Sequence, residues 1–139
     1  MKKKVIVISI FLFLITTIIW LLYFKGIIGN KPFKHLNKSD ISLISVLACP
    51  PNMTVVINKE EQIDEVVDTL NTVPTYQKVD SSKIIVGQLI QFTLIMKDSS
   101  ILKLKVFTPT IVINGQSYLS KYGVCEELNV LGNKLLKNN

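Results

Sequence analysis

The apolar and polar positions divide the chain into an N-terminal apolar block and a longer patterned region. Residues 5–24 are almost wholly apolar, and Ser9, Thr16 and Thr17 are the small polar residues inside this block. As a helix, twenty residues extend about 30 Å, which matches the hydrocarbon thickness of a bilayer. The block therefore predicts a transmembrane anchor.

Residues 1–4 form a basic N-terminal tail with three lysines. A short tail of this kind usually stays in the cytoplasm, so the chain beyond residue 24 is expected to be exported. A cleaved signal peptide is the alternative, but its apolar region usually spans about 7–15 residues and precedes a small-x-small site. The apolar block here is longer, and Ile27 occupies a position where cleavage after Gly29 needs a small residue. We expect a retained anchor and a cell-membrane, single-pass protein with its C-terminal domain outside the cytoplasm.

Cys49 ends the stretch Val46-Leu47-Ala48-Cys49, which resembles the processing site of a bacterial lipoprotein. Lipid attachment needs the cysteine directly after the apolar block, whereas Cys49 lies 25 residues beyond Phe24. The stretch is therefore interpreted as the end of a β-strand.

Residues 25–40 mix glycine, proline, lysine and asparagine without a lasting period. This composition is typical of a linker, with a docking contact expected from Phe33 and Leu36. The remaining residues, 41–139, form the predicted domain.

The first half of the domain predicts a hairpin followed by a helix. Residues 41–48 begin with Ile41 and Leu43 alternating with Ser42, and residues 53–57 continue after a break at two prolines. Residues 59–71 then carry apolar side chains at helical spacing, which predicts an amphipathic helix. Those side chains are Ile63, Val66, Val67 and Leu70. Asn58 and Glu61 have the spacing of a capping box at its start.

The second half predicts two more hairpins and a final helix. Residues 84–97 separate into two faces from Gln88 onward, and residues 101–107 return after the turn at residues 98–100. Asn114-Gly115 favours a two-residue turn between the next two strands. The final stretch has an apolar helical pattern at Val124, Leu128, Leu131 and Leu135, and Gly132 is expected to weaken this helix.

These elements predict an α+β fold. An N-terminal transmembrane helix precedes a small antiparallel β-sheet of about five to seven strands. One helix follows the second strand, and another ends the chain. About 100 residues suffice for a modest core.

The net charge of +6 belongs to the anchor and its flanks. Residues 1–40 contain seven lysines and one aspartate, giving +6, whereas residues 41–139 contain nine lysines and nine carboxylates, giving zero. The sequence has no arginine, so nucleic-acid binding is not expected. Four lysines after the anchor have two interpretations, contact with anionic headgroups or a solvated linker. They are Lys25, Lys31, Lys34 and Lys38.

The sharpest candidate for binding is an acidic face on the first domain helix. Glu61, Asp64, Glu65 and Asp68 share one side of that helix within two turns. They suit a cation or a basic protein partner, whereas a solvated face stabilised by the helix dipole is the alternative interpretation.

No motif for catalysis, cofactor binding or a metal site is apparent. His35 is the single histidine, and no nucleophile motif accompanies it. Two cysteines and one distant histidine are too few ligands for a zinc site, and no glycine-rich phosphate loop is present. No cofactor, metal or enzymatic activity is expected.

Cys49 and Cys125 leave two alternatives open. In an exported domain they suit a disulfide closing a loop of about 75 residues, with a nominal stabilisation near 4 kcal/mol. Two separate buried thiols are the other alternative.

Three stretches between residues 53 and 120 resemble small membrane-anchored or lipid-attached domains of unknown function from low-GC Gram-positive bacteria. The stretches are "INKEEQIDEVVDTLN", "GQLIQFTLIMKDSS" and "IVINGQSYLS". The sequence departs from that pattern at Ser99, where the family has glycine, and the C-terminal helix lies outside it. The resemblance implies an extracytoplasmic, non-catalytic domain.

The sequence thus favours a membrane-anchored interaction or sensing domain with an unidentified protein partner. Two other classes stay open: an accessory enzyme or inhibitor of a cell-envelope enzyme, and a small membrane subunit that acts through its anchor helix.

Overall fold

The computed structural model describes residues 2–24, 28–80 and 87–138. Helix α1 spans Lys2–Phe24, and nearly all of its described side chains are exposed, from one end of the helix to the other. Among the described residues it is the one helix long and apolar enough to cross a membrane, a property that N-terminal signal sequences share. The predicted apolar helix is confirmed.

The rest of the described chain forms a six-stranded sheet with two helices and a short 3₁₀ helix. In chain order the elements are the 3₁₀ helix Lys38–Asp40, β1 (Ile41–Cys49), β2 (Met53–Ile57), α2 (Glu60–Thr72), β3 (Leu89–Met96), β4 (Ile101–Phe107), β5 (Thr110–Ile113), β6 (Gln116–Leu119) and α3 (Tyr122–Lys137). The predicted α+β fold is confirmed. Positions 84–86 of the third predicted strand lie outside the described residues.

The strand order is β2-β1-β3-β4-β5-β6, and every neighbouring pair is antiparallel. The turns explain this order, since four of the connections are hairpins of two to four residues. Asn114 and Gly115 have φ angles of 46° and 90°, the left-handed conformation expected for a two-residue hairpin turn. Ser99 adopts a φ of 67° in the turn between β3 and β4.

Helices α2 and α3 pack on one face of the sheet. The predicted stripe of α2 is fully confirmed, because all four of its apolar side chains are buried. Leu128, Leu131 and Leu135 of α3 are buried as well, whereas Val124 is partly exposed. The core between the layers also includes Ile44, Val46, Ala48, Ile57, Ile90, Phe92, Leu94, Leu104, Val106, Ile111 and Cys125.

A shift in register near the start of β1 overturns one expected pattern. Ile41 and Leu43 were expected on one face, but the pairing with β3 slips between them. Such a bulge inserts an extra residue and turns the following side chains over. Ile41, Ile44 and Val46 are therefore buried, while Leu43 is only partly buried.

The capping box predicted for α2 is wrong. The helix begins at Glu60 with Lys59 at the N-cap, and the Lys59 side chain makes no cap hydrogen bond. Glu60 and Glu61 occupy the first turn instead, where carboxylates interact favourably with the helix dipole.

Most of the predicted linker is docked on the domain. The backbone groups of Asn30 and Thr75 exchange two hydrogen bonds of 2.7 Å, and Phe33 is buried in the core. Leu36 packs against the same core, so the docking contact expected from these two side chains is confirmed. Residues 25–27 lie outside the described residues.

Candidate functional site

The acidic face predicted on α2 exists, but the domain's own lysines occupy part of it. The Lys38 Nζ donates to an Asp64 carboxylate oxygen at 2.7 Å and lies 3.6 Å from Glu60. On the opposite flank, Lys134 of α3 binds Glu65. Two of the four predicted site residues therefore form ion pairs within the domain.

These ion pairs tie α2 to its neighbours. The hydrogen bond with Asp64, and the attraction of that carboxylate and of Glu60, raise the pKa of Lys38. Glu61 and Asp68 remain exposed on the outer side of the helix. The surface open to a basic partner is thus narrower than the sequence suggested.

A groove runs between α2 and the docked segment that precedes β1. Its volume is about 410 Å³. The lining residues are Lys34, His35, Leu36, Asn37, Lys38, Asp64, Val67, Asp68 and Asn71. The structure therefore places His35 beside the acidic residues of α2. Among the described residues, no three histidine, cysteine or carboxylate side chains converge as metal ligands do.

A second cleft of about 620 Å³ lies along the outer face of α3, and sequence reasoning missed it. Gln88 and Asn133 pair through both of their amides, with distances of 3.1 Å and 2.9 Å. The Gln88 Nε2 also donates to the Pro50 carbonyl at 2.9 Å. These bonds join α3 to the start of β3 and to the loop after β1.

The cleft continues past these amides towards the start of α3. Thr108 donates to Glu126 at 3.2 Å and accepts from Asn129 at 3.3 Å. The Asn129 Oδ1 is buried without a hydrogen-bond partner among the described residues. The sequence contained one signal for this cleft, a set of polar residues at the i, i+3, i+7 spacing of one helix face. These residues are Glu126, Asn129 and Asn133.

The sheet face opposite α2 and α3 carries no helix within the described residues. Side chains that pair directly across strands lie on the same face, so Val56, Ser45, Thr93 and Lys103 form one row across it. Val56 is 57% exposed, and Ile101 is 53% exposed at one corner of the same face. We call this surface the open sheet face; it is broad and mixes apolar and polar side chains.

Cys49 and Cys125 are free thiols in the structure; Cys49 is half-buried and Cys125 is buried. Cys125 lies in the first turn of α3, whereas the chain next to Cys49 bonds through Pro50 and Gln88 to the region of Asn133. The two cysteines therefore lie about two helical turns apart along the axis of α3. Cys125 is fully buried, and burial raises its pKa to about 11.

No family model, no curated protein and no solved structure matches this chain. The assignment of function therefore depends on the surfaces described above.

Proposed function

We propose that the protein is a single-pass, membrane-anchored interaction or sensing domain, displayed outside the cytoplasm and without catalytic activity. The observation that carries this proposal is the open sheet face. The domain completes its core with helices on one face only, so the other face exposes Val56, Ile101, Lys103 and Lys105, while central side chains such as Ser45 and Thr93 are half-buried. Exposed apolar side chains among polar ones are typical of protein-binding surfaces.

The shape of the surface favours a macromolecular partner. Six strands at about 4.8 Å spacing make a surface more than 20 Å wide, whereas small ligands usually occupy concave pockets. Lys103 and Lys105 project from the same face, which favours a partner with a complementary acidic surface.

The anchor supports the location given in this proposal. Helix α1 has the length and exposed apolar surface of a membrane span, and the basic tail before it favours export of the domain. The resemblance to anchored extracytoplasmic domains of low-GC Gram-positive bacteria supports the same location.

Photo-crosslinking in cells that produce the full chain tests the proposal. A photoreactive amino acid is placed at Val56 or Ile101 on the open sheet face, and at Glu61 or Asp68 on α2 as matched exposed controls. We expect a discrete protein adduct from the first pair and none from the second. Adducts from Glu61 and Asp68 alone would move the site to the acidic face, and adducts from no position would contradict an interaction domain.

Sidedness is tested separately with an Asp68→Cys, Cys49→Ser variant and a membrane-impermeant maleimide. Labelling in intact cells is expected because position 68 is exposed. Labelling only after lysis would contradict the proposed location and leave the crosslinking result standing.

The cleft along α3 favours a second candidate, an accessory enzyme or an inhibitor of a cell-envelope enzyme. The Glu126 carboxylate and the Lys137 ammonium group, which line this cleft, are suited to binding a polar ligand. Crosslinking from Val130, which is 66% exposed beside this cleft, distinguishes this candidate from binding at the open sheet face.

A further inference from the structure

The chain leaves α1 and joins the domain after a very short connection. Helix α1 ends at Phe24, and Asn30 is already fixed by its two hydrogen bonds to Thr75. Six residue steps reach at most about 20 Å even when fully extended. Once α1 spans a bilayer, the end of the domain that carries Asn30 and Thr75 must therefore lie close to the membrane surface.

That end of the domain extends along the edge of the sheet. After Thr75 the chain pairs with β6, through bonds from the Tyr76 amide to the Leu119 carbonyl and from the Val79 amide to the Ser117 carbonyl. The hydroxyl of Ser120 donates to the Pro74 carbonyl at 2.6 Å, which brings the start of α3 to the same place. We call this end of the domain the tether end.

The tether end exposes basic and apolar side chains, and one acidic side chain, Glu127, is exposed in the second turn of α3. The four exposed lysines of the tether end are Lys31, Lys34, Lys78 and Lys121. Ile28, Leu119 and Tyr122 are 42%, 37% and 67% exposed beside them. Asp80 is a carboxylate near this surface, and it already has an interaction of its own.

Three of the five acidic side chains of α2 lie at the end opposite the tether, whereas Asp68 lines the same groove as Lys34. Thr75 follows the C-terminus of α2, whereas Glu60, Glu61 and Asp64 belong to its first two turns. The 13 residues of α2 extend about 20 Å, so the two groups are well separated compared with a Debye length of about 8 Å. Lys38, a lysine considered for headgroup contact from the sequence, lies at the acidic end and pairs there with Asp64.

We propose that the tether end rests on anionic phospholipid headgroups of the bilayer that α1 spans. The proposal rests on the proposed function, since it needs α1 retained as a span. Lysines near an anionic surface are attracted to it, and exposed Ile28 and Tyr122 suit the interfacial layer. Because the tether already holds the domain at the membrane, headgroup contact sets its orientation and turns the acidic end of α2 away from the lipid.

Lysine acetylation of the full chain in nanodiscs tests the contact without any substitution. One set of discs contains only zwitterionic phosphatidylcholine, and the other contains about one third phosphatidylglycerol. Acetylation of each lysine by a water-soluble ester is followed by mass spectrometry. Lys59 and Lys97 are internal controls, since both are exposed at the acidic end of α2.

On anionic discs we expect Lys31, Lys34, Lys78 and Lys121 to react at least about threefold more slowly than on zwitterionic discs. Raising the salt to about 1 M should remove the difference, because it shortens the Debye length to about 3 Å. Lys59 and Lys97 should react equally on both discs. Slow reaction on both discs alike, or no slowing on either, overturns the proposal.

A matched pair of charge reversals provides the second test. Lys78→Glu with Lys121→Glu should abolish the lipid-dependent slowing at Lys31 and Lys34, whereas Lys59→Glu with Lys97→Glu should leave it intact. Slowing that survives the first pair overturns the proposal. A chain that does not remain with the discs overturns the anchor and this proposal together, so the two failures are distinguishable.

Discussion

Gly132 of α3 lies so close to Ile90 of β3 that a Cβ atom at position 132 would sit 2.5 Å from the Ile90 Cγ2. Gly132 is buried and the helix continues past it to Lys137. The sequence led us to expect that this glycine weakens the helix. Instead, the missing side chain allows α3 to approach the centre of the sheet.

We predict that Gly132→Ala lowers the free energy of unfolding by about 1–2 kcal/mol, since overpacking against Ile90 outweighs the gain in helix propensity. The measurement is urea unfolding of the full chain in detergent, followed by circular dichroism. Gly123→Ala is the matched control on the same helix, because nothing lies within 4 Å of a Cβ there. This control should be neutral or stabilising by up to about 1 kcal/mol. Equal effects of the two substitutions would show that close approach to Ile90 does not determine the choice of glycine.

The sequence predicts the fold well because each element of this domain carries its own local pattern. The stripe of Ile63 to Leu70 identifies α2, the alternation of Lys103 and Lys105 with apolar residues identifies β4, and Asn114-Gly115 identifies a turn. These signals depend on residues that are near one another along the chain, so periodicity and turn chemistry suffice to read them.

The surfaces are less predictable because they depend on pairs that are distant in sequence. Lys134 binds Glu65 across 69 residues, and Gln88 pairs with Asn133 across 45. Neither pair has a signal of its own in the sequence, and the bulge after Ile41 depends in the same way on its partner strand β3. The acidic face of α2 was therefore found, but its partial neutralisation by Lys38 and Lys134 was not.

The paired amides of Gln88 and Asn133 lead to a second prediction. Asn133→Ala removes two hydrogen bonds to Gln88 and one to the Asn129 carbonyl, so we expect a loss of about 1–2 kcal/mol in the free energy of unfolding. Lys137→Ala in the same cleft is the control and should change stability by less than about 0.5 kcal/mol. A double-mutant cycle with Gln88→Ala isolates the pair, and additive losses would contradict direct coupling.

The ion pair of Lys38 with Asp64 leads to a third prediction, which matters for testing the acidic face. Asp64→Lys places a second cation beside Lys38, so it should lower the melting temperature, by no more than about 5 °C because the pair is on the surface. Asp68→Lys should leave the melting temperature unchanged within about 2 °C, since Asp68 is exposed at the surface of α2. Thermal unfolding of both variants makes the comparison.

If the prediction holds, Asp68→Lys is the variant with which to test partner binding, because any loss of binding then cannot arise from destabilisation. Equal melting temperatures for both variants would show that the Lys38 contact contributes nothing.

The two thiols lead to a fourth prediction, about reactivity. In the folded chain at pH 8, without reductant, Cys49 should react with a maleimide at least about tenfold faster than Cys125, because Cys125 is buried and remains protonated. Mass spectrometry should count one label before denaturation and two after it. No label until a reductant is added would instead show a disulfide between the two cysteines and contradict the free thiols.

The raised pKa of Cys125 also predicts how stability depends on pH. Burial is the main cause of the shift to about 11, the Glu126 carboxylate adds to it, and a hydrogen bond with Ser120 opposes it. In the unfolded chain the thiol loses its proton near pH 9, whereas in the folded chain it keeps the proton until about pH 11. The stabilisation is therefore fully present below pH 9 and is lost as the pH rises through 11, by about 3 kcal/mol in total, since the shift is two pKa units and one unit corresponds to about 1.4 kcal/mol. Lysines and tyrosines titrate in the same range, so the quantity to compare is the difference between the parent chain and Cys125→Ala. That variant is less stable near pH 7 because it leaves a small cavity, and the difference should shrink between pH 9 and 11. A difference that stays constant across this range would show that the Cys125 thiol ionises in the folded chain as easily as in the unfolded one.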